Sequence, residues 1–190
     1  MTERYKIGIA MTGSFCTFDQ VLGALEPLAS TYDLFPIMSP IVYESDTRFG
    51  TAAHFRQRLR ELCGREIWHT IPQVEPIGPK KLLDALVIAP CTGNTLAKLA
   101  LGVADTAVTM AAKSHLRNQR PVVVALSTND ALAGAAKNIG TLQGLRHYYF
   151  VPYSQDSASQ KPRSCVAHFD RLGDTLAAAL EGRQLQPLLA

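Results

Sequence analysis

Four short apolar runs constrain this chain more than any other feature: KIGIAM at 6–11, YDLFPIM at 32–38, ALVIA at 85–89 and PVVVAL at 121–126. Near-continuous apolar character, rather than strict alternation, marks strands covered on both faces, as in a parallel sheet. The stretches between them carry helical spacing. Phe18, Val21, Leu22, Leu25 and Leu28 define one helix; Thr17 with Gln20 matches a capping box at its start. Phe55, Leu59 and Leu62 define a second helix over 51–62. A helix with Leu96, Leu99 and Ala100 inward is expected from about Thr95, and another over 105–118. A final strand is expected at 148–151, then a C-terminal amphipathic helix on Val166, Phe169, Leu172, Leu176 and Leu180. Residues 67–69 read as a short strand, and Pro72, Pro76 and Pro79 exclude a long helix beside it. Strands alternating with helices give an α/β fold: a three-layer α/β/α sandwich on a doubly wound, mostly parallel sheet. With no linker and no repeat, 1–190 is read as a single domain.

Composition narrows the function. Apolar residues make up 47 % of the chain and charged residues 18 %, which argues against disorder. The net charge of +3 is dispersed and no basic block tracks one face, so nucleic acid is not an expected partner. Cys16, Cys63, Cys91 and Cys165 form no CxxC pair, and no His stands at zinc-finger spacing. Reduced thiols and no metal are expected. There is no export signal and no apolar run of the ~18 residues needed for a membrane span, so a soluble cytoplasmic protein is expected.

Chemistry in a parallel sheet belongs at the carboxyl ends of the strands. Here those ends run into Thr12-Gly13-Ser14, Ser39-Pro40, Pro90-Cys91-Thr92-Gly93-Asn94-Thr95 and Ser127-Thr128-Asn129-Asp130. Glycines allow close backbone approach, and free N–H groups at helix starts attract phosphate. The same residues are also ordinary turn formers and caps. Asp130 reads as the cap of the helix that follows. Neither GxGxxG nor GxxxxGK[ST] occurs, which disfavours a dinucleotide site or a P-loop and leaves a mononucleotide such as FMN. The polar stretch 154–162 is either a flap over the site or a surface connection.

Ala89-Pro-Cys-Thr-Gly-Asn-Thr-Leu-Ala-Lys98, directly after a buried strand, resembles the PASANT signature of flavin-dependent cysteine decarboxylases. Asp46-Thr-Arg-Phe-Gly50, Glu75-Pro-Ile-Gly-Pro-Lys80, Val87–Lys98, Met110-Ala-Ala-Lys113, Arg117-Asn-Gln-Arg-Pro-Val-Val123, Ser127-Thr-Asn-Asp-Ala-Leu132 and Gln184-Leu-Gln-Pro187 are more specifically similar to the B subunits of dipicolinate synthases. The resemblance spans about 6–188 and identifies the chain as a member of the flavoprotein superfamily. It implies a Rossmann-like flavoprotein fold, FMN as cofactor, a homo-oligomer, and a dehydrogenase-like A subunit carrying NAD(P). It further implies an oxidoreductase role in making dipicolinate, the pyridine dicarboxylate of the spore core, from dihydrodipicolinate or its hydroxytetrahydro precursor. Gly13, Ser14, Ser39, Ser127 and Thr128 would hold the phosphate and ribityl chain, Asn129 would also bind the cofactor, and Asn94, a catalytic candidate, and Thr95 would sit beside the flavin ring or substrate.

The chain departs from the decarboxylases in two places. No His stands in 74–84, where they carry a catalytic one, and Ser127-Thr-Asn-Asp replaces their PAMN segment. Both argue against cysteine decarboxylation. A non-catalytic partner of the dehydrogenase-like chain, or a decarboxylase or prenyltransferase relative, stay open as alternatives. A dianionic substrate calls for cationic donors. Arg48 is the first candidate, for binding and for catalysis, and Lys113 and Arg117 share a helix face. Lys98 is a further helix cation, and Lys80, in place of the decarboxylase His, could move a proton. Cys91 reads as a small loop residue rather than a nucleophile.

Overall fold

The structure, a computed structural model, describes residues 4–189. Seven strands form one sheet. β1 (Lys6–Met11), β2 (Asp33–Met38), β3 (Ala85–Cys91), β4 (Val122–Thr128) and β5 (Tyr148–Phe150) run parallel in the order β2-β1-β3-β4-β5. All seven residues of β3 and the first six of β4 are buried, as continuous apolar strands require when both faces are covered.

α1 (Phe18–Thr31) and α8 (Leu172–Leu180) pack together on one face, joined by α3 (Ala52–Cys63) against α1 and β2. The other face carries α4 (Ile71–Val74), α5 (Gly93–Ala100), α6 (Ala107–Leu116) and α7 (Ala136–Gly144); the short α2 (Pro40–Glu44) follows β2. Phe18, Val21, Leu22, Leu25 and Leu28 of α1 all reach the core. No helix among the described residues is long and apolar enough to cross a membrane.

Several elements depart from the sequence reading. The capping box at Thr17 is not formed: its hydroxyl donates to the Ser14 carbonyl at 2.9 Å, and a 3-10 turn, Phe15–Thr17, leads into α1. α5 begins at Gly93 rather than Thr95, because the Thr92 hydroxyl accepts from the Thr95 N–H at 3.3 Å and caps the helix two residues earlier. β3 and β4 each run two residues past their apolar runs, β3 through Pro90. Residues 67–69 make a single bridge, Trp68 to Ile37, rather than a strand. Asp130 caps no helix: α7 starts at Ala136, and the Asp130 carboxylate is taken by the Thr128 hydroxyl at 2.5 Å.

The largest departure lies in 154–162, where β6 (Tyr153–Ser157) and β7 (Lys161–Ala167) form an antiparallel hairpin. Val166 therefore belongs to a strand and Phe169 to a 3-10 turn, and α8 is shorter than the periodicity predicts. β4 divides its outer edge. Val122, Val123 and Val124 pair with β5, whereas Ser127 and Thr128 pair with Val166 and Cys165 of β7. The hairpin is thus anchored at the carboxyl end of the sheet.

Candidate functional site

Side-chain hydroxyls knit the strand exits together. Thr12, after β1, donates to the Pro90 carbonyl at 2.8 Å and accepts the Thr92 N–H at 3.0 Å, tying the β1 exit to the β3 exit. Thr92 meets the Thr95 hydroxyl at 3.1 Å. Ser14 and Ser127 share a 2.7 Å hydrogen bond that joins the β1 and β4 exits across 113 residues. The β3 and β4 loops touch so closely that a Cβ on Gly93 would lie 2.6 Å from the Thr128 hydroxyl and 2.8 Å from the Asp130 carboxylate. Glycine is required there by space.

Two adjoining hollows open on this framework. The larger, about 630 Å³, is lined by Gly13, Ser14, Asn94, Ser127, Thr128, Asn129 and Asp130, with Arg48 and Phe49 on one wall. Asp156, Lys161, Ser164 and Val166 of the hairpin form another wall. The smaller, about 390 Å³, shares Gly13, Thr92 and Asn94 and adds Thr12, Ser39, Thr95 and Lys98. Ser39 is buried, and its hydroxyl has no hydrogen-bond partner among the described residues although it lines the hollow. A buried hydroxyl left without a partner is costly, so this one is complete only with a ligand or water.

The charges are arranged unequally. Lys161 pairs with Asp156 at 2.7 Å, and Ser164 donates to the same carboxylate oxygen at 3.3 Å. Lys98 pairs with Asp105 at 2.8 Å, and that hydrogen bond holds the Asp105 carboxyl below its usual range. Arg48 has no acidic partner among the described residues; its guanidinium lies 4.8 Å from the Phe49 ring centroid. Reciprocal backbone bonds between Thr47 and Gly50, 3.0 and 3.1 Å long, fix the turn that presents it. Burial pushes the Cys91 thiol well above its ordinary value, so it holds no thiolate at neutral pH.

Of the residues singled out from sequence, Gly13, Ser14, Arg48, Asn94, Ser127, Thr128 and Asn129 meet at the larger hollow, and Ser39 and Thr95 at the smaller one. Lys80, Lys113 and Arg117 line neither. Lys80 is exposed, ahead of β3, and Arg117 closes the far end of α6, so both sit at the amino end of the sheet. Lys113 is exposed on α6. The sequence reading missed the hairpin residues Asp156, Lys161 and Ser164. Its one signal there was a polar stretch, and strand pairing between polar residues has no periodic apolar mark to betray it.

The sequence model of the family described as Flavoprotein matches residues 1–164. The chain belongs to the flavoprotein family. Within it, the chain is 42 % identical over 185 residues to the B subunit of dipicolinate synthase from Bacillus subtilis, covering 97 % of this chain and 92 % of that one. The crystal structure of the dipicolinate synthase B subunit from Bacillus halodurans superposes with a TM-score of 0.91 at 39 % identity, covering 99 % of this chain and 97 % of that one. The FMN binding protein AtHal3 shares the fold at a TM-score of 0.69 and 16 % identity, over 96 % of this chain and all of that one. No histidine among the described residues lines either hollow. His69 stacks on Tyr43 with ring centroids 3.7 Å apart and lines neither hollow.

Proposed function

We propose that this chain is the B subunit of a dipicolinate synthase, a single-domain cytoplasmic protein that binds FMN at the two carboxyl-end hollows. With a dehydrogenase-like A subunit carrying NAD(P), it would convert dihydrodipicolinate, or its hydroxytetrahydro precursor, to dipicolinate during sporulation. The observation that carries this reading is the end-to-end match to the Bacillus B subunits in sequence and in fold.

The residues present suit a flavin mononucleotide. Ser39 offers a buried hydroxyl awaiting a partner, and Gly13 keeps the β1 exit open, since a Cβ there would lie 3.2 Å from the Ile41 side chain. Ser14 and Ser127 present neutral hydroxyls beside the start of α1, and Gly93 and Asn94, the first residues of α5, line the larger hollow. Bound FMN would supply a two-electron acceptor. This chain's own residues would do the rest: Arg48, free of acidic partners among the described residues, would hold a substrate carboxylate, and Asn94 would orient the ring by hydrogen bonds. Exposed Ile41 and Phe49 at the rims suit burial against a second copy, which supports a homo-oligomer.

The test is the visible spectrum of the purified chain before and after FMN is added, followed by substrate with the dehydrogenase-like chain present or omitted. A bound flavin whose absorbance bleaches with substrate, and dipicolinate formed only when both chains are present, are expected. Dipicolinate formed at an undiminished rate by the dehydrogenase-like chain on its own would overturn the catalytic role. Loss of flavin binding without loss of flux would overturn the cofactor assignment.

A further inference from the structure

At the end of the sheet opposite the flavin hollows lies a cavity of about 400 Å³ lined by Lys81, Arg117, Asn118, Gln119 and Arg120. Three of these five side chains are cations and the other two are amides, with no carboxylate among them. The cavity is braced rather than loose. The Asn118 side chain donates to the Gly78 carbonyl at 2.8 Å, and Arg120 donates to the Lys81 carbonyl at 3.2 Å and to the Leu83 carbonyl. Arg120 also pairs with Asp84 at 3.3 Å, and Asp84 in turn accepts the Lys6 N–H at 2.8 Å. Arg120 is thereby committed to the framework.

Lys81 and Arg117 are not. Neither has an acidic or hydrogen-bonding side-chain partner among the described residues. Arg117 is backed by Gly78, where a Cβ would stand 3.1 Å from its Cδ and 2.7 Å from the Ser114 carbonyl oxygen. Two non-glycine residues shape the walls in left-handed backbone conformations, Lys81 at φ 50° and Gln119 at φ 57°. Such conformations are unfavourable in L-residues and persist where surrounding structure holds them.

We infer that this cavity is a second anion site, taking a small ligand with at least two negative charges on phosphate or carboxylate groups, bound by Lys81 and Arg117. A guanidinium and an ammonium lining one cavity with no carboxylate among its lining residues are the chemistry of such recognition. The lining has no aromatic or aliphatic side chain, so it lacks the apolar anchors that a docking protein uses. The site does not depend on the flavin reading, since it shares no residue with either carboxyl-end hollow.

The test is calorimetric titration of the full-length protein at low salt with inorganic pyrophosphate and, separately, with pyridine-2,6-dicarboxylate. The variants are Lys81→Gly with Arg117→Gln, and Lys137→Gln as a control, an exposed cation that lines neither this cavity nor the carboxyl-end hollows. Glycine suits the left-handed backbone at 81, so the paired variant should stay folded, which circular dichroism would check. Binding of at least one probe is expected, weakened roughly tenfold or more in the paired variant, unchanged in Lys137→Gln, and reduced by added salt. Which probe binds tells phosphate from carboxylate. Absence of binding by both probes at millimolar concentration would overturn the proposal. So would equal binding in the paired variant, or a loss of the same size in Lys137→Gln, which would mark the effect as one of general charge.

Discussion

At the scale of single residues, burial decides what each ionisable group can do. His115 is fully buried on α6; one ring nitrogen lies 3.1 Å from the Pro121 carbonyl oxygen, and the other, Nδ1, has no partner among the described residues. The carbonyl can only accept, so Nε2 carries the proton, and a second proton at Nδ1 would bury a charge. That desolvation lowers the pKa from 6.5 to about 4. A base with a depressed folded-state pKa stabilises the fold above pH 6.5 and loses that contribution as pH falls toward 4. Stability should therefore fall by up to roughly 3 kcal/mol across this window. His115→Gln, which keeps a donor for Pro121, should flatten the slope; urea midpoints at pH 7 and pH 4.5 measure both. The thiols sort by the same rule. Cys91 is fully buried and its thiol raised, whereas Cys16 is exposed. A thiol reagent should label Cys16 in the native protein and Cys91 only after unfolding, as peptide mapping would show; prompt labelling of Cys91 would mean that β3 opens at its carboxyl end.

At the scale of elements, α5 shows how local chemistry sets the site. Thr92 caps it and also accepts or donates within the Thr12–Thr95 hydroxyl chain, so Thr92→Ala should cost about 1 kcal/mol in thermal or urea unfolding and loosen the β1–β3 junction. Gly93→Ala should act differently. Its methyl group would push Thr128 and Asp130 away, at about 1–3 kcal/mol, and flavin affinity measured by fluorescence titration should fall with it. Unchanged affinity would show that the Gly93 contact does not shape the hollow. The central strands were legible in sequence because β1, β3 and β4 are apolar through most of their length, and the loops followed from where those runs stop. What lay beyond reach depended on long-range pairing. β6 and β7 expose Gln155, Asp156, Lys161, Pro162 and Arg163, so nothing in their composition marks a strand. Arg48 was legible as a loop cation beside the site. Arg117 was not separable from it by sequence, since i, i+4 spacing places two cations on one helix face without saying which end of the sheet they reach.

At the scale of the whole molecule, the two ends of the sheet hold different chemistry. The amino end is clamped by Arg120, which reaches the turn before β3, and by Asp84, which holds the start of β1. The carboxyl end is knit by neutral hydroxyls and left with unfilled hydrogen-bonding capacity at Ser39. The hairpin is held to β4 by the ladder residues Ser127 and Thr128, and both also line the larger hollow, as do Lys161, Ser164 and Val166 of β7. A ligand held by those side chains must tighten the backbone that carries β7. Hydrogen–deuterium exchange should accordingly slow at Cys165 and Val166 when FMN is added, while β5, bonded to the other half of the same edge, keeps its rate. The split edge of β4 thus couples occupancy of the cleft to solvent exchange on β7, itself a wall of that cleft, which gives a readout of binding separate from the flavin's own colour.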